Sequence, residues 1–168
     1  MQGYQCSTCD EFHSGLPFSY GSPAPASYFD IPENERDDRV VLSSDQCIID
    51  DEYFFILGLL EIPVLDADED LFSWNVWVSL SEENFNRASD LWETAGREKE
   101  PPYFGWLSTS LPCYEGNTLL LKTNVHTRPV GERPFIELEL TDHPLSIEQR
   151  NGLSMKRVQE IAEHTLHG

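Results

Sequence analysis

Two hydrophobic runs joined by an acidic loop, within residues 47–85, constrain the fold more than any other part of the chain. Residues 53–60 are apolar on both faces, which is typical of a strand that is covered on both sides. Residues 74–80 alternate with a period of two, so that Trp77 faces away from the other apolar side chains of the run. The acids at 66–70 are too charged to be buried. The pattern therefore predicts a strand, an acidic loop and a second strand.

The rest of the chain supplies further strands and two amphipathic helices. Strand-like runs recur at 103–107, 117–127 and 134–140. Apolar residues at helical spacing follow Ser81 and continue to Gly96, and a second such stripe follows Ser154. With 168 residues, of which 39% are hydrophobic, the chain is long enough for one core. The sequence predicts an α+β fold with a mostly antiparallel sheet and helices packed on it.

The chain is expected to form a single domain, 1–168, with two unlike parts. Residues 1–30 are rich in Gly, Ser, Pro and Tyr, and their prolines interrupt regular structure. Their aromatic residues indicate that the segment packs against the core. We therefore predict an irregular amino-terminal wrap over 1–46, including a short helix near 32–39, and a sheet with helices over 47–168.

The charge is strongly negative. The chain has 11 basic and 30 acidic residues and a formal charge of −19, which disfavours nucleic acids and anionic membranes as partners. The longest apolar run, 53–60, is too short to span a bilayer, and the first residues lack the pattern of a secretory signal. A cytoplasmic protein is expected. The acidity has two interpretations, solubility alone or selection of a basic partner.

A metal site is predicted near the amino terminus. Cys6 and Cys9 are separated by two residues, a spacing that lets two thiolates bind one tetrahedral zinc ion, and His13 follows at short range. Cys47 is the candidate fourth ligand, and such a zinc would be structural, joining the wrap to the core. A Cys6–Cys9 disulfide and two idle thiols are the alternatives. Cys113 is interpreted as a bystander.

Two residues are candidates for acid–base chemistry. Glu61 interrupts an apolar strand, where burial of a carboxylate would raise its pKa and suit it to acid–base chemistry. Exposure at the strand end is the preferred interpretation, because charged residues are seldom buried without a partner. His126 falls on the predicted solvent face of its strand. Motifs for nucleotide binding, serine hydrolases and zinc proteases are absent from the sequence.

Six phrases are together similar to one bacterial family. They are Cys6-x-x-Cys9 with His13, then 15–17, 59–64, 77–81, 102–107 and 157–162. On these phrases the chain resembles the family catalogued as domain of unknown function 2199, over nearly its whole length. The resemblance implies a bacterial single-domain protein with an amino-terminal metal site, and it implies no particular reaction.

The leading functional prediction is a non-enzymatic acidic binding protein, such as an inhibitor or immunity-type protein that covers a basic partner protein. The predicted contacts are Asp50, Asp51, Glu52, Asp66, Asp68, Glu69 and Asp70. The alternative is a metal-dependent or carboxylate and histidine enzyme in which Glu61 and His126, with Trp77 and Trp106, line a pocket. A third option is a scaffold whose zinc only holds the amino terminus.

Overall fold

The computed structural model describes residues 4–5, 12–13, 17–66 and 71–167. The strands are β1 (Tyr4–Gln5), β2 (Phe12–His13), β3 (Ser19–Gly21), β4 (Val40–Leu42), β5 (Gln46–Ile49), β6 (Tyr53–Pro63), β7 (Leu71–Leu80), β8 (Tyr103–Leu107), β9 (Lys122–His126) and β10 (Phe135–Leu138). The helices are α1 (Arg36–Arg39), α2 (Glu82–Asp90), α3 (Pro144–Asn151) and α4 (Met155–His167), with short 3-10 turns at Ala26–Asp30, Glu33–Glu35 and Arg97–Lys99.

Five strands close into a small barrel. β7 pairs with β8, β8 with β9, β9 with β10, β10 with β6, and β6 again with β7. Only β10 and β6 run parallel within this ring, with Phe135 opposite Leu59 and the Leu59 N–H donating to the Pro134 carbonyl at 2.9 Å. This short parallel pair is the seam of the barrel. Outside the ring, β3 adds to β7, while β5 and then β4 add to β6.

The main core fills the barrel and the space beneath the helices. Inward positions of the strands carry apolar side chains that are almost fully buried: Leu60, Ile62, Phe72, Val76, Val78, Leu107, Val125 and Ile136. Helix α2 adds Phe85 and helix α4 adds Val158 and Ile161. Ser81 caps α2 by accepting a hydrogen bond from the Asn84 N–H at 3.1 Å, as the sequence predicts.

A second, smaller core lies on the outer side of β6 and β7. Its members are Ile31, Cys47, Ile49, Phe55, Leu57 and Trp77. Trp77 is 1% exposed, and its indole N–H donates to the Ser22 carbonyl at 2.9 Å. The described part of the amino-terminal segment is therefore fastened to the barrel by this tryptophan, by the pairing of β3 with β7, and by the Ala26 N–H, which donates to the Ser108 carbonyl at 2.8 Å.

The predicted fold class is confirmed in its coarse form. The chain is α+β, the sheet is mostly antiparallel, and the helices pack on it. Closure of the sheet into a barrel was not predicted. Two details were wrong: α2 ends at Asp90 rather than continuing to Gly96, and the strand predicted over 134–140 ends at Leu138, which leaves Leu140 exposed. Within the described residues, no helix has the length and apolar character needed to cross a membrane.

Candidate functional site

Three of the predicted partner-binding acids lie on one tight turn. Asp50 and Asp51 join β5 to β6, with φ of 55° and 54°, and the Glu52 N–H donates to the Ile49 carbonyl at 3.0 Å. This is a type I′ hairpin turn, in which both central residues are left-handed, a conformation that Asp tolerates better than most residues. The turn holds Asp50, Asp51 and Glu52 outside the sheet, where all three are exposed.

Arg39 connects this turn to the acids before β4. Its guanidinium donates to both carboxylate oxygens of Asp50, at 2.8 and 2.9 Å, and to Glu35 at 3.1 Å. These hydrogen bonds lower the pKa of the Asp50 carboxyl below its ordinary value. The segments on either side of the β4–β5 hairpin therefore form one surface, which we call the acidic edge and define by its carboxylates: Glu33, Glu35, Asp37, Asp38, Asp50, Asp51 and Glu52.

The acidic edge keeps most of its negative charge. It contains seven carboxylates and two guanidinium groups, Arg36 and Arg39, which gives a local formal charge of −5. Arg36 stacks over the Tyr28 ring at 4.5 Å and donates to the Ile31 carbonyl, so that it braces the local chain. The surrounding field therefore favours a cationic partner.

Most arginines elsewhere are also held by contacts within the chain. Arg87 pairs with Glu100, Arg128 with Glu61, Arg133 with Asp45 and Arg157 with Glu148. Because these cations are engaged in bracing the fold, they leave the remaining carboxylates to set the sign of the surface.

The other predicted partner-binding acids are not part of this surface. Asp66 follows β6 at the end opposite to Asp51, and the 11 residues of β6 between them span roughly 35 Å at about 3.3 Å per strand residue. Its carboxylate accepts a hydrogen bond from the Met155 N–H at 2.7 Å, so it caps the start of α4. Asp68, Glu69 and Asp70 lie outside the described residues. The predicted set thus has at least two separate locations.

The two predicted acid–base residues share the outer face of the barrel. The His126 Nε2 atom lies 3.0 Å from Glu137 Oε1, and the imidazole ring is 5.8 Å from the Phe135 ring. Arg128 lies over the same phenylalanine, with its guanidinium 5.4 Å from the ring centre, and binds both carboxylate oxygens of Glu61. Phe135 therefore lies between a histidine–glutamate pair and an arginine–glutamate pair.

An open cleft lies beside these two pairs. It has a volume of about 320 Å³ and is lined by Glu61, Pro63, Leu71, Phe135, Glu137, Leu138, Leu140, Gln149 and Arg150. Trp106 lies on strand β8, half-exposed, with its ring 5.1 Å from that of Phe104. Trp77 belongs to the second core, so the two predicted tryptophans do not line this cleft.

A second cavity, of about 500 Å³, is lined by Asp45, Trp92, Arg97, Gly131, Glu132 and Arg133. Arg97 lines it but is 8% exposed, and its guanidinium donates to four main-chain carbonyls, those of Trp92, Arg128, Pro129 and Glu132, at 2.8–3.1 Å. Arg97 therefore fixes the loop between β9 and β10, and we assign it a structural role.

The predicted zinc ligands fall mostly outside the described part of the chain. Cys6 and Cys9 are not described, and neither is the side chain of His13. Cys47 is fully buried among apolar side chains of the second core, and burial raises the pKa of its thiol to about 11. Among the residues that are described, no group of three or more His, Cys, Asp or Glu side chains is placed to hold a metal ion. The zinc site stays a prediction.

The burial of Cys47 has a testable consequence. In the native protein at neutral pH, Cys47 should react with an aromatic disulfide reagent at least about a hundredfold more slowly than in denaturant, because the thiolate is the reactive form. The measurement is thiol release in a Cys6→Ser, Cys9→Ser, Cys113→Ser background, with and without urea. Rapid native labelling would contradict the buried position.

The sequence analysis did not identify the arginines that form ion pairs on the acidic edge and on the outer face of the barrel. The spacing of Glu35 and Arg39, four residues apart, is a signal that could have revealed their pairing. The Glu61 and Arg128 pair is 67 residues apart in sequence, and no local pattern predicts it.

Comparison with known proteins gives one family. A family model described as an uncharacterised protein conserved in bacteria (DUF2199) matches residues 5–153. No curated protein and no solved structure matches the chain.

Proposed function

The chain belongs to DUF2199, a family of uncharacterised proteins conserved in bacteria, and from its surface we propose that it is a binding protein for a basic partner protein. The observation that carries the proposal is the acidic edge, where carboxylates before β4 and after β5 are held together by Arg39. An inhibitor or immunity-type protein that covers the cationic surface of its partner is the concrete form of this proposal.

Two physical features support a binding role for the acidic edge. The bidentate Arg39–Asp50 pair and the hairpin turn fix the orientation of the carboxylates, which lowers the entropy lost on binding. Unpaired carboxylates on the same edge attract a positively charged surface and raise its association rate, and they repel acidic competitors.

The test compares two variants that carry the same net charge. One neutralises five acids of the acidic edge that have no ion pair among the described residues: Glu33→Gln, Asp37→Asn, Asp38→Asn, Asp51→Asn and Glu52→Gln. The matched control neutralises five exposed acids elsewhere: Glu93→Gln, Glu98→Gln, Glu115→Gln, Glu139→Gln and Asp142→Asn. Both retain Asp50 and Arg39, so the turn keeps its ion pair.

Each immobilised protein is then exposed to a lysate of its source bacterium at increasing salt. We expect a basic protein to be retained by the wild type and by the control variant, to be lost from the acidic-edge variant, and to elute as ionic strength rises. Equal retention by both variants, or the absence of any basic protein that elutes with salt, would contradict the proposal.

A second candidate function is acid–base catalysis at the outer face of β9 and β10. The observation that favours it is the 3.0 Å contact between His126 and Glu137 beside the 320 Å³ cleft, since a carboxylate that orients an imidazole is a recurring arrangement for a general base. In that case Glu61 would not be a free base, because Arg128 engages both of its carboxylate oxygens. Glu61 would instead affect substrate binding by positioning Arg128.

This candidate is tested with a panel of activated esters and phosphate esters. If His126 acts as a base, His126→Asn should lower any turnover by about 10²–10⁴-fold, while the exposed control His164→Asn should leave it unchanged. Turnover that is equal in the wild type and His126→Asn would remove the candidate.

A further inference from the structure

The last strand of the eight-stranded sheet, β4, has one unpaired edge among the described strands. Its pairing with β5 can be followed from two main-chain hydrogen bonds, Asp50 N–H to the Arg39 carbonyl and Ser43 N–H to the Gln46 carbonyl, both 2.8 Å. Hydrogen-bonded pairs alternate along an antiparallel ladder. The main-chain groups of Val41 therefore point towards β5, whereas those of Val40 and Leu42 point away from it.

Three main-chain groups on this edge therefore have no hydrogen-bond partner within residues 17–66 and 71–167. The Val40 N–H already donates to the Arg36 carbonyl. The Val40 carbonyl, the Leu42 N–H and the Leu42 carbonyl remain directed outward. An added strand would satisfy all three.

The edge lacks most of the features that usually prevent strand addition. Natural sheets protect their edges with lysine, proline, bulges or very short strands. β4 is short, but its residues are Val, Val and Leu, and the Val41 side chain is 66% exposed. Three hydrogen bonds are too few to bind a peptide tightly, so any specific partner must gain further stabilisation from neighbouring charge.

That neighbouring charge is the acidic edge. Arg39 lies immediately before β4, and its guanidinium donates hydrogen bonds to Glu35 and Asp50. Asp37 and Asp38 precede Arg39 in α1. A strand that pairs with β4 would run past these carboxylates, where lysine or arginine side chains are stabilised and acidic ones are repelled.

We propose that an extended, basic segment of the partner protein adds to β4 as a further strand of the sheet. The inference rests on the proposed function, because it specifies how a basic partner engages the acidic edge. Main-chain hydrogen bonds to Val40 and Leu42 would set the register, and the carboxylates would select the cationic sequence.

The experiment uses short capped peptides and the full-length chain. The probe alternates lysine and valine, a second peptide has the same sequence with every backbone nitrogen methylated so that neither of its edges can donate, and a third alternates glutamate and valine. Affinity is measured by fluorescence anisotropy, and the Leu42 amide is followed by NMR. The variant Leu42→Pro removes the outward N–H and the leucine side chain but no main-chain hydrogen bond to β5, and edge strands tolerate proline at such a position.

We expect the lysine–valine peptide to bind, to shift the Leu42 amide, and to bind the acidic-edge variant less tightly. N-methylation of the peptide and Leu42→Pro should each weaken binding by at least about fivefold, because each removes main-chain hydrogen bonds. The N-methylated peptide requires no change in the protein, so the test does not depend on how well Leu42→Pro folds.

Two results distinguish failure of strand addition from failure of the proposed preference for a basic partner. If N-methylation and Leu42→Pro leave the affinity unchanged while neutralising the acidic edge lowers it, strand addition is wrong and the acidic edge alone binds the partner. If the lysine–valine peptide binds no more tightly than the glutamate–valine peptide, the proposed preference for a basic partner is wrong, and strand addition of a basic segment fails with it.

Discussion

Replacing Trp77 by alanine is expected to lower the free energy of unfolding by about 3–5 kcal/mol, the usual cost of removing a large buried aromatic side chain. Trp77 is 1% exposed and is the largest member of the second core. Its indole N–H also fastens the amino-terminal segment through the Ser22 carbonyl. Since domains of this size are stable by about 5–15 kcal/mol, the variant should be close to unfolding.

The measurement is urea denaturation followed by circular dichroism, together with limited proteolysis. Loss of the Trp77 contact should make residues 22–31 more susceptible to cleavage before the barrel unfolds, because it removes the hydrogen bond to the Ser22 carbonyl and part of the core that covers Ile31. The matched control is Trp106→Ala, at a half-exposed position on β8, which should cost less than about 1 kcal/mol. Equal losses for the two variants would contradict the assigned second core.

The orientation of Trp77 was predictable from the sequence, but the core that receives it was not. Alternation along 74–80 places Trp77 on the other face of the strand from Val76 and Val78, and the structure confirms this. The partners of Trp77 come from Ile31, Cys47 and Phe55, which lie in three other segments. Periodicity specifies a face of a strand, whereas what covers that face depends on the path of the whole chain.

Barrel closure could not be predicted for a related reason. Each barrel strand has a local pattern that also suits an open sheet. Closure depends on β6 being long enough to pair with β5 along its first half and with β10 near Leu59, while its other edge pairs with β7 throughout. The sequence predicts a strand at 53–60 but contains no local signal for the strand that it meets at the seam.

The acidic edge shows the same division. The sequence predicts Asp50, Asp51 and Glu52 as partner contacts because they are charged and lie at the start of the central strand. Their association with Glu35 depends on Arg39, whereas Asp66 caps α4 at the far end of β6 and so lies outside the acidic edge. Charge composition indicates a class of partner, and tertiary structure decides which charges act together.

Replacing Gly58 by alanine is expected to cost about 2–3 kcal/mol, because it overpacks the barrel seam. A Cβ atom at this position would lie 2.4 Å from Ile136 Cδ1, 2.6 Å from Ile136 Cγ1 and 3.0 Å from the Pro134 carbonyl oxygen. Pro134 accepts the Leu59 hydrogen bond that joins β6 to β10. The added methyl group should therefore push β10 away from β6 and weaken the closure itself.

A double-mutant cycle with Ile136→Ala tests whether this cost arises at the seam. Ile136→Ala alone should cost about 2–5 kcal/mol. It also removes the two closest atoms, so the double variant should be more stable than the sum of the single losses predicts, by at least about 1 kcal/mol. Urea denaturation of the four proteins gives this coupling energy.

Gly131→Ala is the control, because Gly131 has a φ of +90° and no neighbour within 4 Å of an added Cβ. Its loss of about 1–2 kcal/mol should come from backbone strain and should add independently to that of Ile136→Ala. If the losses of Gly58→Ala and Ile136→Ala are also strictly additive, the methyl group is accommodated away from Ile136, and the seam is not what requires glycine.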